Sequence, residues 1–71
     1  MSAFEALNYM ENGGKVLVSL PGFVSSVFMI TEKGIESGNT EIGLCFCGLT
    51  PGKTYKHFQN ILNEGGELTA I

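Results

Sequence analysis

The sequence predicts a small α+β domain: an antiparallel sheet of three or four strands with two helices on one face, in the order α-β-β-β-α-β. Three observations predict it. Two segments with helical apolar spacing lie near the two ends of the chain, and each is closed by a glycine pair. The stretch between them is rich in β-branched and aromatic residues. A Pro21-Gly22 pair breaks that stretch into strands that can fold back on one another.

Each element has a local reason. Ser2-Ala3-Phe4-Glu5 is a capping box, in which the hydroxyl and the carboxylate each take up an amide left open at a helix start. Phe4, Leu7 and Met10 then recur at helical spacing as one apolar stripe, and Gly13-Gly14 ends the helix. Lys15 to Leu20 reads as the first strand. Pro21 presets one turn position and Gly22 supplies the positive φ of the next. Phe23 to Thr31 reads as the second strand, residues 32–39 as a polar connection and Thr40 to Leu49 as the third strand. Thr50 is a favoured N-cap and Pro51 a favoured first helical residue. The second helix runs to Asn63, with Tyr55, Phe58, Ile61 and Leu62 on one face. Gly65-Gly66 stops it, and residues 67–71 suit a short final strand. Residues 1–71 read as one domain.

Side-chain alternation assigns the faces. In the third strand Ile42, Leu44 and Phe46 form the better core face, which sets Glu41, Gly43, Cys45 and Cys47 on the other. The second strand is apolar on both faces, with Phe23, Val27 and Met29 on one and Val24, Phe28 and Ile30 on the other. Strands of that kind are normally covered twice. Two short helices cover one side, so the second side is expected to meet another copy or a partner. Val24, Phe28, Cys45 and Cys47 are the candidate interface residues.

Composition points the same way. The chain is 44% hydrophobic and 15% charged, with mean hydropathy +0.20. A domain of this size buries only about 60% of the surface its unfolded chain exposes, so exposed apolar surface is expected to find a partner. The net charge is −3, and the four cationic side chains are all lysine. Without arginine or a basic face, nucleic acid is not an expected partner. No apolar run reaches membrane-spanning length, because Ser25-Ser26 and Thr31-Glu32-Lys33 interrupt the best one. The start lacks the basic and apolar regions of a signal peptide. The expected location is the cytoplasm, with reduced cysteines.

The segment from Cys45 to Thr54 holds both cysteines and a Gly-rich turn. It approaches a P-loop, but Gly48 and Gly52 are separated by three residues where that loop needs four. Cys45 and Cys47 share a face, and a disulfide between such close neighbours would be strained. With His57 they would make an unusual Cys-x-Cys…His metal set or a thiol-imidazole pair, matching no common zinc spacing. Buried structural thiols are the plainer reading. Lys53, Lys56 and His57 share one face of the second helix. Thr50, Gly52, Lys53, Lys56 and His57 are therefore the candidate site for a small anion, held by first-turn amides and lysine charge. A solvated helix face is the plainer alternative.

Phe4-Glu5-Ala6-Leu7, followed by Gly14-Lys15-Val16, resembles the opening of a family of small phage proteins. That family includes Thoeris anti-defence proteins, which assemble as oligomers and sequester a cyclic nucleotide signal. The likeness covers about the first fifth of the chain. The family's tryptophans have no counterpart here, since the chain contains no Trp, and the resemblance carries over no binding residues. It implies a phage or mobile-element inhibitor in the host cytoplasm that sequesters a signal or blocks a host defence protein.

The expected function is thus a non-catalytic binding protein, a homo-oligomer with a host protein or a small anion as its target. It needs no cofactor, no metal and no catalytic residue. Two alternatives come from other classes: an accessory subunit of a larger complex without a small ligand, and a thiol- or metal-dependent activity at Cys45, Cys47 and His57.

Overall fold

A computed structural model of the chain describes residues 1–39, 43–46 and 48–71; for Leu44 and Phe46 it describes the backbone. The elements are α1 (Ala3–Glu11), β1 (Val16–Ser19), β2 (Ser26–Thr31), β3 (Gly34–Asn39), β4 (Gly43–Phe46), α2 (Pro51–Asn63) and β5 (Glu67–Ala70). The fold class is the expected one, an α+β domain with an antiparallel sheet. The sheet has five strands in the order β4-β3-β2-β1-β5, and all neighbours run antiparallel.

Local chemistry sets both helix starts. The Ser2 hydroxyl accepts from the Glu5 amide at 3.1 Å, and the Glu5 carboxylate accepts from the Ser2 amide at 3.0 Å. The bond from the Ser2 backbone amide first, and the Ser2 side chain beside the carboxylate second, hold the Glu5 carboxyl below its ordinary pKa. At α2 the Thr50 hydroxyl accepts from the Lys53 amide at 3.2 Å, with Pro51 in the first turn. Both helices stop in the same way. Gly13 and Gly65 adopt positive φ, and the amides of Gly14 and Gly66 reach back to the carbonyls of Tyr9 and Ile61. This is the double hydrogen-bonded helix end that glycine makes easily.

The core lies between the helices and one face of the sheet. Ala3, Ala6 and Met10 of α1 and Phe58 and Ile61 of α2 bury against Val16, Val18, Phe28, Ile35 and Leu68. The strand register places the sheet residues together: Val16 is opposite Phe28, Val18 opposite Leu68 and Ile30 opposite Ile35. Thr54 is a fully buried polar side chain, and its hydroxyl donates to the Thr50 carbonyl at 2.9 Å. The ends of β5 are tied down. The Met1 amino group donates to the Leu68 carbonyl at 3.1 Å, and the Tyr9 hydroxyl to the Ile71 carbonyl at 3.3 Å.

Several sequence expectations change in detail. Phe4 is 69% exposed, and α1 turns Ala3 and Ala6 inward with Met10 instead. Small side chains there let α1 approach α2 closely. The supposed connection at residues 32–39 contains β3, joined to β2 by the tight turn at Glu32-Lys33. The second strand starts at Ser26, so Phe23 and Val24 belong to the preceding loop.

The third-strand parity is also reversed. Cys45 pairs with Ser37, Ser37 with Phe28 and Phe28 with Val16, which sets Cys45 at a register position of the helix-side face. Leu44 and Phe46, expected on the core face, take the alternate register positions opposite Gly38 and Glu36. The reason is β3: its register transmits the facing of β2 to β4. Cys45 is nonetheless exposed, because both helices lie over the other end of the sheet. Glu41, Ile42 and Cys47 lie outside the described residues.

Candidate functional site

The anion site predicted at the start of α2 is drawn together only by its helix. Thr50, Gly52, Lys53 and Lys56 are exposed. The Lys53 amide, one of the donors an anion would use, already donates to the Thr50 hydroxyl at 3.2 Å. His57 departs from the others. It is half-buried, and its ring packs against Phe28 at 5.6 Å between centroids and Phe58 at 6.3 Å. The imidazole extends the aromatic cluster that begins where Phe28 meets Phe58 edge-on at 5.4 Å.

The cysteine reading fares differently. Cys45 is an exposed free thiol and Cys47 lies outside the described residues. Among the described residues no group of three or more His, Cys, Asp or Glu side chains is placed to hold a metal ion.

The most distinctive surface is one whose shape the sequence did not indicate. After β1 the chain turns at Pro21-Gly22. Gly22 has φ +84°, and the Phe23 amide closes the turn onto the Leu20 carbonyl at 3.0 Å. This tight turn lifts the next two residues off the sheet. Phe23 is 73% exposed and Val24 74%. They form one lip of a groove of about 240 Å³, whose walls include Val18, Leu20, Phe28 and Ile61. His57 stands on the α2 side of the same groove, and among the described residues no Asp, Glu, Lys or Arg lines it. Single exposed apolar residues are ordinary on proteins. Two adjoining ones beside an apolar groove form a contiguous patch, the usual mark of a contact surface.

Of the residues singled out from sequence, Val24 lies on this lip and Phe28 on the floor. Phe28 is 5% exposed and serves the core first, so its expected role as an exposed interface residue is corrected to that of a buried support. The sequence pattern places Phe23 in the second strand, whereas that strand starts at Ser26. The Pro-Gly turn ahead of it was the available signal that the chain was still turning.

A second apolar area lies on the far face of the sheet. Leu17 pairs with Val27, and Met29 stands two residues along β2; all three are half-buried. Among the described residues no helix packs on this face, since the core side chains of α1 and α2 lie on the other. No helix of the described residues is long and apolar enough to cross a membrane. No family model, no curated protein and no solved structure matches the chain.

Proposed function

We propose that this chain is a non-catalytic binding protein that self-associates and acts stoichiometrically, as an inhibitor or sequestering factor. The observation that carries the reading is the pair of exposed side chains Phe23 and Val24 beside an apolar groove. Holding that surface in water is unfavourable by about 25 cal/mol for each Å² of apolar area, and covering it is the simplest use for it. The likeness of the first residues to oligomeric phage anti-defence proteins supports the inhibitor role, with a host protein or a small anionic signal as target.

The half-buried face formed by Leu17, Val27 and Met29 favours a second reading, an accessory subunit whose sheet is covered inside a larger complex. Light scattering on a sizing column tests the first reading. The expected result is a mass at least twice that of the 7.6 kDa chain at micromolar concentration. A monomer mass across that range would remove self-association from the account and leave the accessory reading.

A further inference from the structure

We infer that the groove is covered by a second copy of this chain, in a two-fold pair whose α2 helices lie antiparallel. The inference rests on the self-association proposed above and specifies its interface.

The argument begins with charge placement on α2. Lys53 and Lys56 stand in the first two turns and Glu64 at the C-cap, with no acidic residue in the first turn and no basic residue in the last. A helix carries partial positive charge at its N-terminus and partial negative charge at its C-terminus. Both ends of α2 therefore bear the sign that its own dipole disfavours. By contrast, α1 follows the favourable rule at its start, with Glu5 in the first turn.

An antiparallel neighbour reverses that sign. Lys53 of one copy would face the C-terminal end and Glu64 of the other, and the same contact would recur across the two-fold axis. The arrangement disfavoured within one helix becomes favourable between two.

The geometry is compatible with this. Lys53 and Glu64 are eleven residues apart, about three helical turns, and so fall on nearly the same line along α2, roughly 16 Å apart. His57 and Ile61, both on the groove, lie beside that line and towards the core. The charged line therefore borders the groove on one side, and the Phe23-Val24 lip borders it on the other. One surface thus carries the protruding apolar residues, the recess to receive them, and opposite charges at its two ends. Self-complementarity of this kind is what an isologous interface requires. Glu67, which shares a neighbouring hollow with Phe23, adds to the acidic end.

Charge reversal distinguishes this pairing from other ways of associating. Lys53→Glu should weaken the pair about tenfold, because two attractive contacts become repulsive. Glu64→Lys should do the same. The double variant Lys53→Glu/Glu64→Lys restores both contacts with the signs exchanged, and should return to within about threefold of the native constant. Lys33→Glu, in the β2–β3 turn, changes the net charge equally and should leave the constant unchanged. Each single variant improves the match to the helix dipole, so thermal melts of dilute protein should show it no less stable than the native chain.

Sedimentation equilibrium of the five proteins at low salt reads the result. Weakening in both single variants with recovery in the double variant is expected. Unchanged association in Lys53→Glu, no recovery in the double variant, or equal loss in Lys33→Glu would each overturn the antiparallel pair while leaving self-association standing. A monomeric native protein would overturn the self-association on which the pair rests.

Discussion

Replacing Phe58 with alanine is expected to lower the stability of the fold by about 3–5 kcal/mol. Phe58 has no exposed surface, meets Phe28 edge-on at 5.4 Å, and lies among side chains of both helices and the sheet. A domain this small has little reserve, on the order of 0.05–0.15 kcal/mol per residue. The expected loss is therefore a large share of the total stability. Urea unfolding at one fixed protein concentration measures the change, since association would otherwise shift the midpoint. A loss below about 1 kcal/mol would mean that the aromatic cluster is not the centre of the core.

Gly66→Ala should be nearly as damaging, although the residue is small and half-buried. A Cβ at Gly66 would stand 2.5 Å from a methyl of Ile61, 2.6 Å from the Ser19 carbonyl oxygen and 2.9 Å from the Ile61 carbonyl oxygen. The methyl can turn aside, but two backbone oxygens cannot. They belong to β1 and to the end of α2, the elements that the glycine lets approach. The expected loss is about 3 kcal/mol, the upper part of the overpacking range. Gly14 occupies the matching place after α1, and the atoms nearest a Cβ there are those of the Tyr9 ring. That ring can swing away at the expense of its hydrogen bond to the Ile71 carbonyl, so Gly14→Ala should cost nearer 1 kcal/mol. Thermal melts of the two variants rank them, and the reverse order would contradict this account of the second helix end.

The sequence was most readable where structure is set by near neighbours. Ser2 with Glu5, Thr50 with Pro51, and the two glycine pairs placed both helices, because caps act within one turn. The strand β3 was not readable in the same way. Glu36-Ser37-Gly38-Asn39 has weak strand preference, and its conformation comes from pairing with β2 over five residue positions. With that strand missed, the facing of β4 was assigned without the partner that determines it. Phe4 misled because i, i+3 spacing alone does not show which edge of a helix is covered. Ala3 and Ala6, which carry little hydrophobic signal, take the buried side.

The candidate surface was only half legible. Val24 and His57 were both singled out, yet nothing in their spacing places them on two sides of one groove. That contact depends on the β1–β2 turn and on the packing of α2 over Phe28. The inverted charges of α2 are visible in the sequence, but they acquire meaning only beside an apolar surface that another helix could cover.

The central claim is that the Phe23-Val24 groove, and not the opposite sheet face, is where this protein meets another copy of itself. Backbone amide NMR spectra recorded over a dilution series test it most directly. Concentration-dependent shifts at residue 20, residues 22–24 and residues 53–64, with those of Leu17, Val27 and Met29 unchanged, are predicted. Shifts confined to Leu17, Val27 and Met29, or spectra that do not change with concentration, would contradict it.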